Sequence, residues 1–479
     1  MAPSGSKANS REFSLDDGFD FHENSTPRRD PAFMSSATPK EPLRAPIGRA
    51  KEAASLPSSL SLAGKRAVAV VFSSYPSDPR PRRGAEALAR ESASVEVICL
   101  KQTDEEPERE SFNGIDVTRV PLRRYRGGKL SYVLQYAAFL FMAASKLIGR
   151  AVRRRYDLVH IHNMPDVLVF SALLPKILGA KVVLDMHDPM PELMMSIFGL
   201  GADSFAVRLL KTLEKYSLRF ANAVLAVNEA CRKIFSARSC PAAKITVIMN
   251  SPDEGIFRFR EPSGPTASPR DPARPFVIMY HGSLVERHGL DLAVIALEKI
   301  RQTIPNAELR IYGRSTPFLE QVMDSVRGSE LSRAVRAFGA KNLEEIAQAI
   351  AECDVGIIPN RRSIFTELNT PTRIFEYLSQ GKPVIAPRAP GILDYFSSSE
   401  LVLFELGDAD DLAAKLEYVF ARPEETLEIV KRGQEVYQTH KWSSECSRFV
   451  NLAKELLQGK KAAPVRTGGS PSAEVGSAR

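Results

Sequence analysis

Short apolar runs alternate with longer helical patterns along most of this chain, and this alternation constrains the fold more than any other feature. The first group of runs is AVAVVF (67–72), SVEVICL (94–100), LVHIH (158–162), KVVLDMH (181–187), AVLAV (223–227) and KITVIMN (244–250). A second group is PFVIMYHG (275–282), AELRIYG (307–313), DVGIIP (354–359), KPVIAP (382–387) and LVLFEL (401–406). Strands that alternate with helices form parallel sheets covered by helices. The sequence therefore predicts an α/β chain of two Rossmann-like, doubly wound parallel-sheet domains.

Composition marks where these domains begin and end. Residues 1–64 and 460–479 are rich in Ser, Pro, Ala and charge and lack a hydrophobic period, so we expect a disordered N-terminal arm and tail. The Pro and Ser cluster from Glu261 to Pro275 is typical of a linker. We expect a first domain over 65–262, a linker over 263–275 and a second domain over 276–440. A last helix over 441–459 is expected to return to the first domain.

Charge and cysteine content limit the classes of function. The formal charge of +8 favours an anionic partner, such as a phosphate-bearing small molecule or an acidic lipid surface. Because no recognisable nucleic-acid module accompanies the charge, we expect no nucleic-acid partner. Five scattered cysteines without a CxxC pair argue against a disulfide framework. The N-terminal residues lack the apolar segment of a signal peptide, so a cytoplasmic location is predicted.

The segment NTPTRIFEYLSQGKPVIAP, residues 369–387, lies where ligands bind in open parallel sheets, beyond the carboxyl end of a strand. Pro371 fixes a loop, and the following helix carries Arg373 and Glu376 one turn apart on one face. Gly381 then ends this helix before the next strand. Glu376 is either a ligand-binding carboxylate or a helix-face residue paired with Arg373, and its position at a strand–helix junction favours binding.

With YHGSL (280–284), RHGLDLA (287–293), RIYGR (310–314) and CDVGIIP (353–359), this segment resembles the donor-binding half of the retaining glycosyltransferase family 4. The resemblance covers most of residues 65–455 and is strongest over 276–420. It implies a GT-B fold, a nucleotide-sugar donor bound between the two domains, no cofactor and no obligatory metal. It also implies that Glu376 accepts hydrogen bonds from the ribose hydroxyls, which a carboxylate does strongly.

The sequence departs from the family pattern at two donor positions. A second glutamate usually stands eight residues before the first, but here that position is Leu368, and Glu367 is one residue too early. Backbone amides near Asn369 and Thr370 are the expected substitutes.

The diphosphate site is the other departure, because Ser283 and His288 replace the usual arginine and lysine. Arg287 is our first choice for the phosphate, since its charge is permanent and its donors form a planar fork; Arg373 comes second and His288 third. If His288 binds phosphate as a cation, donor affinity should fall as the pH rises through about 6.5. The other predicted donor-site residues are Gly282, Gly313 and Arg314.

His187 and Asp188 in the first domain match a His-Asp pair of that family, whose histidine contacts the transferred sugar. Asp188 is expected to orient the His187 ring. His160 and His162 alternate on one strand, but a zinc site needs further ligands, which the sequence does not place. We therefore expect a packed His160 and a cleft-facing His162, with Asn163 beside it.

The loop after Phe72 has no Gly-Gly pair of the kind common in the family, and charged residues occupy the expected turn. We assign Asp78, Arg80 and Arg83 to the acceptor side, although an ordinary surface role explains the arginines equally well. Asp408-Ala-Asp410 looks like the Asp-x-Asp metal motif of a rival sugar-transferase fold, but Asp408 and Asp411 fit a helix N-terminal cap.

The basic and apolar stretch over 122–156 has two interpretations that the sequence does not separate. It is either an ordinary helix covering the sheet or a helix that lies on an anionic membrane. A helix that spans the membrane fits poorly, because Gln135 and Lys146 interrupt the stretch.

These observations favour a metal-independent retaining glycosyltransferase, cytoplasmic and peripheral at the inner face of the membrane. It would move a hexosyl unit to a lipid-linked (polyprenyl-linked) or cell-surface polysaccharide acceptor. The alternatives are a nucleotide-sugar epimerase of the same fold and a catalytically degenerate scaffold subunit.

Overall fold

The computed structural model of the protein describes residues 62–123, 129–262 and 274–459. Most of the predicted N-terminal arm, the core of the predicted linker and the predicted tail lie outside the described residues. Within them, the chain forms two parallel-sheet α/β units, one after the other. The predicted pair of doubly wound domains is confirmed.

The first sheet has eight strands in the order β3-β4-β2-β1-β5-β6-β7-β8, and all neighbours run parallel except β3 on β4. These strands are β1 (Arg66–Ser74), β2 (Ser94–Lys101), β3 (Arg109–Phe112), β4 (Ile115–Arg123), β5 (Leu158–His162), β6 (Lys181–Met186), β7 (Ala223–Ala226) and β8 (Ile245–Val247). All five residues of β5 are buried, as expected for a central strand covered on both faces.

Within the described residues, the first unit has six helices besides the last helix of the chain. They are α1 (Pro79–Arg90), α2 (Lys129–Arg153), α3 (Leu173–Ile177), α4 (Met190–Phe198), α5 (Phe205–Phe220) and α6 (Glu229–Arg238). A 3-10 turn over Asp166–Ala172 leads into α3. The inner face of α2 packs Phe139, Ala143, Leu147 and Ala151 into the main core of the sheet. By length and composition, residues Ser131–Arg153 of α2 also qualify as a possible membrane span.

The second sheet has six parallel strands in the order β11-β10-β9-β12-β13-β14. Its strands are β9 (Phe276–His281), β10 (Ala307–Tyr312), β11 (Val335–Ala337), β12 (Val355–Ile357), β13 (Val384–Pro387) and β14 (Val402–Phe404). Its helices are α7 (Leu290–Ile300), α8 (Pro317–Val326), α9 (Leu343–Glu352), α10 (Ile364–Leu368), α11 (Thr372–Ser379), α12 (Pro390–Leu393), α13 (Ala409–Ala421) and α14 (Pro423–His440).

The last helix, α15 (Trp442–Leu457), lies against α1 in the first unit. Its Phe449 ring centroid is 5.0 Å from that of His160 on β5. Glu445 is fully buried and accepts a hydrogen bond from the Met249 amide at 3.1 Å. The chain therefore crosses between the units twice, after β8 and again after α14.

Strand order determines where a ligand can bind in each unit. In the first sheet the chain turns one way from β1 to β2 and the other way to β5, and in the second sheet β9 lies between β10 and β12. Ligand crevices open at such switch points, at the carboxyl ends of the strands. This topology therefore places the candidate residues at the ends of β1, β5, β6 and β9 where a ligand can bind.

Candidate active site between the two sheets

Asp185 on β6 is the centre of a buried polar cluster in the first unit. Arg80, in the first turn of α1, donates from Nε to both carboxylate oxygens at 3.0 Å and from Nη2 to Oδ1 at 2.6 Å. Arg80 Nη1 also reaches the Ile248 carbonyl oxygen at 3.0 Å and Asn250 Oδ1 at 2.8 Å. Arg80 thus joins α1, β6 and the segment that leads to the second unit.

The surroundings of Asp185 keep its carboxyl ionised. Burial acts to raise its pKa, but the Arg80 guanidinium and hydrogen bonds from His160 and His162 hold the pKa well below its usual range. His160 Nε2 and His162 Nδ1 both lie 3.4 Å from Asp185 Oδ2. His160 fits because α1 has Gly84 there, where a Cβ atom would approach the ring carbon Cε1 to 3.2 Å.

His162 connects this cluster to His187, with 3.0 Å between His162 Nδ1 and His187 Nε2. Burial lowers the pKa of His162 to about 4 and that of His187 well below its usual value, so both rings are neutral at pH 7. Because ionised Asp185 faces His162 Nδ1, the favoured tautomer has its hydrogen on that nitrogen. His187 Nε2 then accepts, and the hydrogen of the His187 ring is on Nδ1.

Several expectations for this half of the site need correction. His162 is 0% exposed and does not face the cleft; it acts through His187. Arg80 and Arg83 do not lie in a turn but within α1, which Asp78 caps by accepting from the Arg80 amide at 3.3 Å. The carboxylate found beside the His187 ring is Asp185, whose Oδ2 is 4.0 Å from Nε2.

Asn163 is buried behind the His-Asp pair. Its Oδ1 accepts from the His187 amide at 2.6 Å, and its Nδ2 donates to the Asp188 carbonyl oxygen at 3.0 Å and to Asp166 Oδ1 at 2.9 Å. Asn163 therefore fixes the backbone at residues 187 and 188. Burial raises the pKa of the Asp188 carboxyl to about 7, although Arg287 and Arg80 act to lower it.

Asp185 could serve as a third metal ligand beside His160 and His162, which the sequence alone did not reveal. The carboxylate and the two rings offer ligand atoms within 4.8 Å of one another. Arg80 already binds both oxygens of that carboxylate. The permanent charge of the guanidinium compensates Asp185. The donor set is thus better explained as an internal ion pair than as a metal centre.

Close packing at two glycines shapes the strand ends in the second unit. Gly282, after β9, has φ +122, and a Cβ atom there would lie 3.0 Å from Arg373 Nη1. A Cβ atom at Gly313, after β10, would lie 2.3 Å from the Gly282 carbonyl oxygen. Larger residues at either position would displace the backbone or the Arg373 guanidinium. These two predicted donor-site residues therefore lie side by side.

Glu376 lies at this same edge, buried, with Oε2 2.5 Å from His281 Nε2. His281 Nδ1 is 3.0 Å from the Tyr377 hydroxyl, which donates to the Met279 carbonyl oxygen at 3.0 Å. The structure thus shows a His281 pair for Glu376, which the sequence analysis did not predict. The YHG sequence at 280–282 contained the signal, because His281 ends a buried strand.

Arg373 bridges the glycine loop from α11. Its Nη1 donates to the His281 carbonyl oxygen at 2.5 Å, and its guanidinium carbon lies 4.8 Å from the centroid of the Tyr280 ring. The Tyr280 hydroxyl donates to the Ser283 carbonyl oxygen at 2.7 Å. Arg373 therefore holds a fixed positive charge beside Gly282.

His288 and Arg287 lie in a short 3-10 turn ahead of α7. His288 Nδ1 is 2.9 Å from the Ser283 carbonyl oxygen, so this nitrogen carries the hydrogen and donates. Burial, with Arg373 and Arg287 nearby, lowers the pKa of His288 well below its usual range. In the unliganded site His288 is therefore already neutral near pH 6.5, so the predicted fall in donor affinity as the pH rises through about 6.5 is no longer expected. Arg287 lies over the Phe365 ring, 5.9 Å from its centroid.

The loop at Asn369 and Thr370 is held from the first unit. Asn228, which caps α6, donates from Nδ2 to the Leu368 carbonyl oxygen at 2.8 Å and to Thr370 Oγ1 at 3.1 Å. Thr370 Oγ1 donates to the Gly391 carbonyl oxygen at 2.6 Å. The sequence does not predict this contact between the units, because it depends on how the two units are placed relative to each other.

Electrostatic contacts also cross between the units. Burial lowers the pKa of the Arg83 guanidinium, and the carboxylates of Asp253 and Glu376 oppose that effect. Arg287 of the second unit likewise acts to lower the pKa of Asp188 in the first unit. The two sets of predicted site residues therefore face one cleft. Arg314 is half-buried directly after Gly313.

Asp408 caps α13, as predicted. Its Oδ1 accepts from the amides of Asp410 and Asp411 at 2.8 and 3.1 Å. Asp410 pairs with Lys299 at 2.5 Å. A helix cap and a surface ion pair account for the Asp-x-Asp sequence.

Two facing Rossmann-like units, with polar strand ends directed at a shared cleft, define the class of GT-B folds. Comparison with known families makes the class specific: residues 78–251 match the glycosyl transferase 4-like domain, and residues 275–422 match the glycosyl transferases group 1. The chain belongs to this family of GT-B glycosyltransferases, as its sequence resemblance indicated.

Among its relatives is the sulfoquinovosyl transferase SQD2 of Arabidopsis thaliana, 26% identical over 316 residues, covering 64% of this chain and 58% of that protein. Another is the probable glycosyltransferase WbjE of Pseudomonas aeruginosa, 24% identical over 261 residues, covering 53% of this chain and 62% of that protein. The chain thus spans about three fifths of the length of these two relatives.

Solved structures share the fold at low identity. Sucrose-phosphate synthase from Thermosynechococcus elongatus superimposes with a TM-score of 0.65 at 17% identity, covering 83% of this chain and 100% of that one. Anabaena HepE in complex with UDP gives a TM-score of 0.57 at 16% identity, covering 81% and 99%.

Proposed function

We propose that this protein is a retaining glycosyltransferase that moves a hexosyl unit from a nucleoside diphosphate sugar to a lipid-linked or cell-surface polysaccharide acceptor. The observation that carries the proposal is the cleft itself. Buried Glu376 and the Arg373 guanidinium flank a glycine-lined strand end of the second unit, and Arg287 of the same unit acts electrostatically on Asp188 of the first. Family membership supports the reaction class.

In the second unit, different residues are proposed to bind different parts of the nucleotide. Glu376 supplies a carboxylate for the two ribose hydroxyls, and Arg287 and Arg373 supply cations for the diphosphate. Negative charge builds on the leaving diphosphate during transfer, so fixed guanidinium groups stabilise the transition state without a metal. UDP complexes of the fold relative HepE support a nucleotide donor.

In the first unit, His187 is proposed to contact the transferred sugar. With its hydrogen on Nδ1, the neutral ring donates to a sugar hydroxyl while Asn163 holds its backbone. Asp78 caps α1, Arg80 binds Asp185 on β6, and Arg83 donates to the Ser251 carbonyl oxygen. Retention of configuration is proposed from the family alone.

The test of donor binding is a thermal-shift panel with UDP, GDP, ADP, TDP and CMP, with and without EDTA. A ligand at about 100 times its Kd adds about 2.7 kcal/mol of stability, which is easily measured. We expect one base to shift the melting temperature regardless of EDTA, and Glu376→Gln to remove that shift. Glu367→Gln is the matched control, because Glu367 lies in the preceding helix and pairs with Arg362 at 3.0 Å. Equal losses in the two variants would contradict the assignment.

Product analysis then separates the transferase from its rivals. A transferase releases nucleoside diphosphate in proportion to glycosylated acceptor, with the anomeric configuration of the donor sugar retained. An epimerase instead forms an isomerised sugar without an acceptor. Stoichiometric binding of the nucleotide with no turnover of any nucleotide sugar would favour the scaffold.

A further inference from the structure

Apolar side chains are exposed together on three neighbouring elements of the first unit. On α2, Leu134, Phe141 and Ile148 are spaced seven residues apart and Val152 follows four later, so they form one stripe opposite the buried face. Phe141 and Val152 are each 71% exposed. Over roughly 27 Å of helix, this outer stripe has no protein cover among the described residues.

The stripe continues onto α3 and α5. Leu173 and Ile177 are exposed on α3, and Phe205, Leu209 and Tyr216 are exposed on one face of α5. The elements are in contact: α2 packs against α3 and the preceding 3-10 turn, and in that turn Phe170 lies 5.2 Å from Phe220 of α5 between ring centroids. We call the exposed apolar residues of α2, α3 and α5 the outer apolar face.

Positive charge surrounds the outer apolar face. Exposed Arg153, Arg154 and Arg155 lie at the end of α2, and exposed Arg208 and Arg219 lie on α5. Residues 131–153 contain no Asp or Glu. The acidic residues of the 3-10 turn and of α5 are Asp166 and Glu214, and both are buried.

We propose that the outer apolar face docks the protein onto an anionic lipid bilayer. Amphipathic helices lie in the interface with apolar side chains among the acyl chains and basic side chains at the headgroups. A bilayer fits both properties of this surface, the apolar stripe and the excess of exposed arginines over the exposed carboxylate of Asp203. A second copy of the chain fits poorly, since a symmetric contact would bring the two sets of arginines together.

Partition of the purified full chain onto vesicles tests the proposal. We expect it to sediment with vesicles of mixed phosphatidylglycerol and phosphatidylcholine, and far less with vesicles of phosphatidylcholine alone. Phe141→Gln should weaken partition about tenfold, because one large apolar side chain no longer enters the bilayer. Arg153→Gln should weaken partition about fivefold, and added salt should also weaken it.

Matched controls lie in the second unit. Ile295 is 40% exposed on α7, and Arg327 is exposed after α8, so Ile295→Gln and Arg327→Gln should leave partition unchanged. Equal losses in these controls would overturn the proposal, as would a wild-type chain that ignores anionic vesicles. A dimer that Phe141→Gln dissociates, without vesicle binding, would assign the face to a second copy.

This inference stands apart from the proposed function, and the measurements keep the two separate. The nucleotide-dependent thermal shift of Phe141→Gln should equal that of the wild type, because the outer apolar face belongs to the first unit and the donor residues belong to the second. Loss of that shift together with vesicle binding would mean that the substitution disturbs the fold; Arg153→Gln, at an exposed residue, then tests the proposal.

Discussion

In each sheet, one strand ends in a buried histidine that lies against a carboxylate. The two histidine–carboxylate pairs are built differently. In the first unit, Arg80 covers both oxygens of Asp185, and His162 approaches the same group at 3.4 Å. In the second unit, Glu376 Oε2 meets His281 at 2.5 Å, while Arg373 donates to the His281 carbonyl oxygen. A carboxylate spanned by a guanidinium is a positioning group, whereas Glu376 borders a glycine-lined opening. We therefore expect changes in the first pair to affect stability and changes in the second to affect donor binding.

Removal of Arg80 should have the largest effect on this comparison. Arg80→Met leaves the Asp185 charge buried without its partner, which typically costs about 3–5 kcal/mol of folding free energy. Arg82, two residues on, has a side chain 44% exposed and pairs with Glu86, so Arg82→Met should change stability by less than about 0.5 kcal/mol. Urea denaturation of both variants measures the difference. Similar stabilities would show that Asp185 does not depend on Arg80.

A substitution of Arg287 should have the opposite profile. Arg287→Ala removes a charged donor fork from the diphosphate, so we expect donor affinity to fall by about 10–100-fold, with the melting temperature of the unliganded protein nearly unchanged. Arg362→Ala is the control, because Arg362 is exposed and pairs with Glu367 on α10. Titration with the nucleoside diphosphate checks both. A retained affinity would move the phosphate role to Arg373.

The sequence was sufficient to predict the fold, because the fold follows from local patterns. Strand-length apolar runs predicted the two sheets, and the rule that ligands bind beyond strand ends pointed to the helix that carries Glu376. Gly282 and Gly313 were predicted from the family resemblance. The Asp408 cap could be predicted because its partners are two and three residues away. These features depend on spacing along the chain.

The pairings within the site depended on contacts between distant residues. Arg80 and Asp185 are 105 positions apart, and His281 and Glu376 are 95 apart. His162 could not be distinguished from a cleft residue, because strand alternation gives the face of a side chain but not whether another ring covers it. The Asn228 contact to Thr370 similarly depends on how the two units meet.

Stability should respond to pH through Asp188. Its folded pKa of about 7 exceeds the usual unfolded value, so its favourable contribution is complete in acid and is lost as the pH rises through about 7. Asp188→Asn imitates the protonated form, so the variant should be more stable than the wild type by about 1–2 kcal/mol at pH 8 and about equal near pH 4. Denaturation at both pH values measures this. Asp324→Asn, at an exposed ion pair of α8, is the control and should show no such gain; an equal gain at acid pH would rule out the protonation mechanism.

The smallest effect is expected from His288, whose ring is neutral and donates to the Ser283 carbonyl oxygen. Because burial and the nearby arginines lower its pKa well below the usual value, it carries no charge for the phosphate between about pH 6 and pH 8. The phosphate of the nucleotide itself titrates in this range, so the useful quantity is the ratio of wild-type to His288→Gln affinity. We expect that ratio to stay within about threefold of one and to be independent of pH, since glutamine keeps a donor for the Ser283 carbonyl. A ratio that falls as the pH rises would show that His288 takes up a proton when the diphosphate binds. In that case the second unit would hold a titrating cation, and the contrast with the neutral histidines of the first unit would be sharper.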